Sequence, residues 1–261
     1  MKQRFVFILV LTAFTRLLCG CAPANVGQSP EILWWTDHET GDFSDWDRAG
    51  GYHWTSEGGG AEIVTSPNPT RSGEYSFRSS VTAPGAGTQS GAQASRGGGL
   101  PTEAYYSAWY YFPQGVSSTN YWLFSKFRSR TDPNDDSTVV NTWDLDVMTD
   151  SNGVMSLALY HHSNSDGQTA DTPSIPIGRW FQVEAFLRAV NDNTGRLTIW
   201  FDGVQTFDIV GQPTMPSAYI EWSVGGITEV ISPNPSAMYI DDAAISTKRL
   251  GPNFPIFWRG D

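Results

Sequence analysis

Cysteine and charge are both scarce in this sequence. Only two of its 261 residues are cysteines, and 16% are charged. Two cysteines cannot build a disulfide framework or a four-cysteine zinc site. Basic residues number 16 against 27 acidic ones, so no positive surplus is available to attract a phosphate backbone. These shortages exclude a disulfide scaffold and argue against a nucleic-acid partner.

Helical periodicity is missing as well. No stretch after Cys21 repeats apolar residues about every 3.6 positions for several turns. Glycine (26) and proline (16) are common, which disfavours long helices. Aromatic residues make up 13% of the chain, too many for a disordered one. What the chain has instead is a series of short segments in which apolar and polar residues alternate, the pattern typical of β-strands.

Ten such segments are predicted as strands, and turn signals such as Ser151-Asn152-Gly153 separate many of them. They are Ala61–Ser66, Tyr75–Ala83, Tyr105–Pro113, Tyr121–Arg130, Asn141–Thr149, Val154–His162, Trp180–Val190, Arg196–Phe201, Ala218–Val224 and Ala237–Ile245. Strands without intervening helices predict an all-β fold, an antiparallel two-sheet β-sandwich of the jelly-roll type, over residues 34–250. Residues 251–261 are predicted as a C-terminal tail. Pro84–Pro101 is predicted as a mobile loop and Ser163–Pro176 as a second long loop.

The N-terminus has the features of a targeting signal. A positively charged start precedes the apolar run Phe5–Phe14, which is too short to span a bilayer. The sequence Leu18-Cys19-Gly20-Cys21 resembles the lipobox of bacterial lipoproteins. We therefore expect residues 1–20 to be a signal peptide and residues 21–33 to be the lipidated Cys21 and its tether. The protein would then be secreted and anchored at the cell surface or in the periplasm; a plain secretory signal with a chance cysteine is the alternative.

Alternation along three predicted strands separates a core face from a polar face. Leu123 and Phe127 are predicted to face the core, as are the odd-numbered residues of Val154–His162 and of Trp180–Val190. The opposite faces carry Trp122, Lys126, Arg128, Arg130, Tyr160, His162, Gln182, Glu184 and Arg188. If these strands are neighbours in one sheet, their polar faces form a single surface. Aromatic rings suit pyranose faces, and Lys and Arg suit uronate carboxylates, so this surface predicts a polysaccharide site. The alternative is a solvated strand face with ordinary salt bridges.

Five stretches together resemble a known family. They are Tyr106–Pro113 (YSAWYYFP), Trp122–Phe127 (WLFSKF), Gly178–Glu184 (GRWFQVE), Thr194–Gly203 (TGRLTIWFDG) and Tyr239–Ala244 (YIDDAA). Their order and spacing resemble the heparin-lyase-type polysaccharide lyases and their bacterial relatives, over roughly residues 35–250. The resemblance implies a concanavalin-like jelly roll that cleaves a uronate-containing polysaccharide by β-elimination. The Gln-Trp-His-like triplet of those enzymes reads Ser125-Lys126-Phe127 here, and the Gln-x-His triplet of alginate lyases is also absent, so no catalytic histidine is carried over.

A lyase must remove the C5 proton of a uronate, which requires a base and a group that neutralises the carboxylate. The candidate catalytic residues are Tyr160, His162, Lys126 and Arg128. The candidate substrate-binding residues are Trp122, Arg130, Gln182, Glu184 and Arg188. An ordinary alternative for His161-His162 is a strand end with one packed and one exposed ring.

Other functions stay open on the sequence alone. Asp144 and Asp146 share a strand face and approach the Glu-x-Asp-x-x-Glu pattern of laminarinase-type glycosidases, which use two carboxylates. Thr149 stands where that pattern has its last acid. A non-catalytic carbohydrate-binding surface protein and a structural cell-surface sandwich are further alternatives.

A structural calcium site is the one cofactor that the sequence suggests. The segment from His38 to Trp46 looks like the opening strand of carbohydrate-binding jelly rolls. In those modules an early Glu and the first Asp of a late Asp-Asp pair can share Ca²⁺. Glu39 and Asp241 match these positions, and carboxylate oxygens suit calcium. Ordinary hairpin and edge chemistry is the alternative.

Overall fold

The computed structural model describes residues 30–119, 121–162, 166–169, 174–217 and 219–254. Within them the chain forms 15 β-strands, and a short 3-10 turn at Asp136–Thr138. The strands are β1 (Ile32–Thr36), β2 (Gly51–Thr55), β3 (Gly59–Thr65), β4 (Tyr75–Val81), β5 (Ser90–Gly97), β6 (Glu103–Tyr111), β7 (Trp122–Arg130), β8 (Val139–Thr149), β9 (Met155–His161), β10 (Asp166–Thr169), β11 (Trp180–Arg188), β12 (Arg196–Phe201), β13 (Val204–Val210), β14 (Tyr219–Thr228) and β15 (Ser236–Ser246). Each of the ten predicted strands overlaps an observed one.

The strands form two antiparallel sheets. The eight-stranded sheet has the order β13-β12-β11-β6-β15-β4-β3, with β1 paired to β15. The seven-stranded sheet has the order β10-β9-β8-β7-β14-β5-β2. The predicted two-sheet sandwich is therefore confirmed.

Aromatic side chains fill the space between the two sheets. Tyr106 of the eight-stranded sheet meets Phe127 of the seven-stranded sheet edge-on, with ring centroids 5.0 Å apart. The same tyrosine ring lies 5.4 Å from Trp222, and Tyr110 lies 5.0 Å from Phe124. Edge-to-face pairs of this kind add about 0.5–1.5 kcal/mol each to the stabilisation from buried area. The high aromatic content is thus used mainly to hold the two sheets together.

Strand β5 was predicted as part of a mobile loop, and that prediction was wrong. All eight of its residues are buried, because it lies between β14 and β2 in the seven-stranded sheet. Small side chains permit the close packing: the hydroxyls of Ser95 and Ser223 are 2.9 Å apart. A Cβ atom added to Gly91 would stand 2.5 Å from the carbonyl oxygen of Gly226. A segment made mostly of Gly, Ala and Ser carries no apolar alternation, so its strand character comes from pairing with its neighbours.

An irregularity in β7 reverses the predicted alternation at its start. The β7–β8 pairing shifts between Leu123 and Ser125, which inserts Phe124 as an extra residue. Trp122 and Phe124 both enter the core, where their rings contact that of Phe112. Trp122 is only 1% exposed, and Leu123 faces the opposite side. The predictions that Trp122 faces a sugar and that Leu123 faces the core were therefore wrong.

The predicted signal peptide and Cys21 lie outside the described residues, as does the predicted tail beyond Phe254. Strand β1 starts at Ile32, so the last residues of the predicted tether belong to a sheet. In the described part of the chain, no helix is long and apolar enough to cross a membrane.

Candidate active site

A cavity of about 630 Å³ lies on the outer face of the seven-stranded sheet, and we call it the groove. Its lining combines cations, carboxylates, aromatic rings and aliphatic side chains. It consists of Gln89, Tyr121, Leu123, Lys126, Arg128, Val139, Thr142, Asp144, Asp146, Met148, Ala158, Leu159, Tyr160, His162, Gly167, Ile227 and Glu229. Four residues predicted to be catalytic, Tyr160, His162, Lys126 and Arg128, are thus brought together here.

The pairing register of strands β7 to β10 places one row of residues across the centre of the groove. Lys126 on β7 pairs with Asp144 on β8, which pairs with Tyr160 on β9, which pairs with Gly167 on β10. Residues in such a row point to the same face of the sheet, at successive strand spacings of about 4.8 Å. The row places a cation, a carboxylate and a phenol side by side across the floor. A Cβ at Gly167 would stand 3.2 Å from the Tyr160 ring, so glycine leaves that ring its space.

Lys126 is the central cation of the groove. Its residue is 8% exposed, and no ion pair or hydrogen bond joins its ammonium group to a described residue. Burial, with the nearby positive charge of Arg128, lowers the pKa of Lys126 to about 8. An incompletely compensated ammonium at the floor of a groove is suited to receive an anionic group from a ligand.

Asp144 and His162 form an ion pair at one side of Lys126. His162 Nε2 lies 2.5 Å from Asp144 Oδ2, and this hydrogen bond raises the pKa of His162. The His162 ring meets the Tyr160 ring edge-on with centroids 4.8 Å apart. His161 turns inward and stacks on Trp143 at 3.8 Å. The ordinary alternative of one packed and one exposed ring thus describes this strand end, and the exposed ring is the one in the groove.

Asp146 is the most perturbed carboxyl group of the groove. Burial and the neighbouring charge of Asp144 raise the pKa of Asp146 to about 7. Its Oδ1 atom is buried without a hydrogen-bond partner in the structure as described. Asp146 therefore holds a proton up to near-neutral pH.

Arg128 and Arg130 are held by a buried glutamate behind the groove. Glu221, fully buried, accepts from Arg128 Nε at 2.6 Å and from Arg130 Nη2 at 2.7 Å. Tyr52 donates its hydroxyl to the same carboxylate at 2.9 Å and accepts from Arg128 Nη2 at 2.8 Å. Asp136 completes the arrangement, at 2.5 Å from Arg130 Nη1 and 3.3 Å from Arg128 Nη2. Both guanidinium groups thus already have carboxylate partners.

A second cavity of about 490 Å³ adjoins the groove and shares Lys126 and Arg128 with it. Its lining includes Arg130, Tyr52 and Trp54. The predicted binding residue Arg130 is only 4% exposed, and its guanidinium lies 4.9 Å from the Tyr219 ring centroid. Arg130 therefore lies beside the groove but mainly supports its floor.

Three predicted binding residues lie on the other sheet, so the prediction that they join this surface was wrong. They are Gln182, Glu184 and Arg188, all on β11 of the eight-stranded sheet. Gln182 donates to Ser107 Oγ at 2.8 Å, and Glu184 accepts from the backbone N–H of Leu250 at 2.6 Å. Arg188 pairs with Glu103 at 2.7 Å. Alternation predicted correctly that these side chains point away from the core, but it cannot tell which sheet carries them.

Glu39 and Asp241, the residues predicted to share calcium, both accept hydrogen bonds from backbone N–H groups. Glu39 Oε1 accepts backbone hydrogen bonds from Glu74 at 2.8 Å and Tyr75 at 2.9 Å. Asp241 Oδ2 accepts from the Arg71 backbone at 2.9 Å, and its Oδ1 accepts from Asp242 N at 2.8 Å. No group of three metal-ligating side chains is found in the described ranges. We therefore assign no step to calcium.

Sequence reasoning missed two features of the site. Asp144 and Asp146 were recognised as sharing a face, but as a glycosidase pattern rather than as neighbours of Lys126 and His162. Glu221 was not singled out, although an acid alternating with apolar residues in a strand is a signal for a buried ion pair. Their roles depend on strand pairing between distant parts of the chain.

Known structures share this fold. An endo-β-1,4-glucuronan lyase from the fungus Trichoderma reesei matches with a TM-score of 0.60 and 16% identity, covering 84% of this chain and 96% of that one. The alginate lyase vAL-1 from Chlorella virus matches with a TM-score of 0.56 and 11% identity, covering 84% and 100%. A marine PL-14 alginate lyase from Aplysia kurodai matches with a TM-score of 0.55 and 12% identity, also covering 84% and 100%. At these identities the similarity establishes the fold.

Sequence comparison supplies the family. A search of curated proteins finds no match. The profile of the family described as "Polysaccharide lyase", however, matches residues 38–241, which is most of the chain and includes every strand that lines the groove. The resemblance seen in the five sequence stretches is thereby confirmed, and the chain belongs to the polysaccharide lyase family.

Proposed function

We propose that this protein cleaves a uronate-containing polysaccharide by β-elimination, with the reaction taking place in the groove. The observation that carries the proposal is the position of Lys126. It is a buried cation without a direct carboxylate partner among described residues, in one cross-strand row with Tyr160. Family membership supports a lyase-like role, and this row supplies the residue types that elimination requires.

In the proposed reaction, the C5–H bond and the C4–O bond of the uronate break, and a C4=C5 double bond forms. The Lys126 ammonium pairs with the uronate carboxylate, which stabilises the negative charge that develops next to it. The phenolic oxygen of Tyr160 accepts the C5 proton after its own proton has left to solvent. His162, whose protonated form Asp144 stabilises, donates a proton to the leaving oxygen. The proton that His162 has given up is replaced from solvent, which restores the starting state.

The direct test is to incubate the purified protein with a panel of uronate polysaccharides and follow the ultraviolet absorbance of the unsaturated product. Lys126→Met and Tyr160→Phe are each expected to lower kcat/KM by about 10²–10⁴-fold. Arg188→Ala, on the other sheet, is the matched control and is expected to keep full activity. Absence of product on every substrate, or full activity in both groove variants, would refute the proposal.

A non-catalytic carbohydrate-binding protein is the second candidate. It is favoured by the absence of the Gln-x-His triplet on β7, where Ser125-Lys126-Phe127 stands instead. Retention of the protein on polysaccharide affinity gels, without unsaturated product from any of them, would support this candidate over the lyase.

We also propose that the protein is a secreted lipoprotein anchored through Cys21. The support is the sequence of residues 1–21, with its charged start, short apolar run and lipobox-like end. Metabolic labelling with a radioactive fatty acid tests the proposal, with Cys21→Ser as the variant expected to lose the label. A label retained by Cys21→Ser would exclude this anchor.

A further inference from the structure

The balance of charge around Lys126 indicates which uronate polymers fit. We infer that the substrate is a polysaccharide in which uronates are separated by neutral sugars, rather than a polymer of consecutive uronates. This inference rests on the proposed function and deepens it. It follows from four features of the groove and its adjoining cavity. They are the ion pairs of the cations, the positions of the carboxylates, the aliphatic side chains of the groove and the indole ring of Trp54 in the adjoining cavity.

The cations other than Lys126 are already matched with acids. Arg128 and Arg130 share the buried carboxylate of Glu221 and the exposed carboxylate of Asp136. His162 is paired with Asp144. A second uronate would therefore have to compete with a resident carboxylate for each of these cations.

Carboxylates also line the groove on more than one side of Lys126. Asp144 and Asp146 project from β8, and Glu229 lies beyond β14 and accepts a hydrogen bond from Gly87 N at 2.9 Å. Among the described cations of the groove and the adjoining cavity, Lys126 alone has no carboxylate in an ion pair with it. Such a site has room for one additional negative charge at Lys126. A polyuronate brings one charge with every sugar, and its neighbouring carboxylates would face like charge.

The remaining parts of the domain do not supply missing cations. Between residues 30 and 254, the positions outside the described ranges contain no lysine or arginine, and they add one acid, Asp171. The charge balance of the groove is therefore not corrected by those positions.

The walls around Lys126 suit neutral sugars. Val139 is 38% exposed and Met148 39% exposed, and Leu123 and Ile227 also line the groove. In the adjoining cavity, half-buried Trp54 offers an indole ring beside the paired arginines. Aliphatic side chains and an indole face pack against the C–H faces of uncharged pyranoses without desolvating a carboxylate.

The test compares two classes of defined polymer in the absorbance assay. Polyglucuronate and polymannuronate are homopolymers of consecutive uronates, whereas hyaluronan and gellan present glucuronate separated by neutral sugars. We expect kcat/KM to be at least ~10-fold higher on a separated-uronate polymer than on either homopolymer. Equal or higher kcat/KM on a homopolymer would overturn this inference while leaving the proposed lyase function intact.

Measuring oligosaccharide affinity distinguishes a failure of the substrate inference from a failure of the proposed lyase function. Affinity of the Tyr160→Phe variant for oligosaccharides of the same polymers is measured by calorimetry, which requires no turnover. If no polymer yields unsaturated product, the lyase proposal fails, and the binding preference alone decides the inference. Tighter binding of the homopolymer oligosaccharides would then overturn it.

A charge variant tests the physical reason. Asp136→Asn removes an exposed partner of Arg128 and Arg130, so the relative affinity for consecutive uronates is expected to rise several-fold. Glu62→Gln is the matched control, because it removes an exposed partner of Arg78 on the other sheet. An unchanged preference in Asp136→Asn would overturn the charge-balance argument.

Discussion

The buried positive charge of Lys126 is expected to destabilise the folded protein. Burial lowers the pKa of Lys126 from 10.5 to about 8, so holding the charge in the folded state has a cost. One pKa unit corresponds to ~1.36 kcal/mol, which gives roughly 3 kcal/mol as an upper bound. Lys126→Met removes this cost and keeps a flexible side chain of similar length. The variant should therefore be more stable than the parent protein at neutral pH while losing elimination activity.

The effect has a defined pH window. Because the folded pKa lies below the unfolded one, the cost is fully present below pH 8 and fades as the pH rises through 8 to 10.5. For a domain of this size ~1 kcal/mol shifts Tm by about 2–4 °C, so the upper bound on the gain at pH 7 is roughly 6–12 °C. Near pH 10.5 the pH-dependent part of that gain should be gone.

Calorimetric melting curves of the parent protein, Lys126→Met and Lys126→Arg at pH 7 and pH 10.5 test this reasoning. Lys126→Arg keeps a positive charge at both pH values and is expected to show no stabilisation. A lower Tm for Lys126→Met at pH 7, or an equal gain at both pH values, would refute the argument that ionisation of Lys126 carries the cost.

Four further outcomes follow from the structure. Asp146→Asn should stabilise the protein more at pH 8 than at pH 5, since the raised pKa of about 7 makes ionisation of Asp146 costly only as pH increases; equal Tm shifts at both pH values would contradict this. Asp144→Asn should move the NMR titration of His162 to lower pH, because the hydrogen bond that raises its pKa is lost; an unmoved midpoint would argue against the pair. Trp122→Ala should cost about 3–5 kcal/mol in urea unfolding, as a core substitution does, and a neutral result would place the ring at the surface. EDTA should leave Tm unchanged, because Glu39 Oε1 and Asp241 Oδ2 already accept backbone hydrogen bonds; a fall of several degrees would support the predicted calcium site.

Local alternation predicted a large part of the fold. In β9 it assigned Met155, Leu157 and Leu159 to the core and Tyr160 to the other face, and burial agrees with that assignment. The same rule failed at the start of β7, because the inserted Phe124 shifts every residue before it to the opposite face. A bulge of this kind depends on the partner strand, and the sequence of β7 alone does not show it.

The candidate site was predicted only in part, for a related reason. Lys126 and Tyr160 were placed on polar faces correctly, but β11 was assumed to be their neighbour and belongs to the other sheet. Asp144 becomes the partner of His162 only because β8 lies between β7 and β9. Strand β5 was missed because its small residues acquire their role from close packing against β14.

The sequence by itself determined the all-β character, the aromatic core and the residue types that a uronate site needs, since these depend on composition and on alternation within single strands. Only the tertiary structure decided which of those residues meet. Hydrogen-bonded pairing joins strands far apart in the chain, and it alone placed Lys126 beside Asp144 and Tyr160 while sending Gln182, Glu184 and Arg188 to the opposite sheet. The charge balance of the groove, and with it the substrate class inferred here, is a property of that pairing.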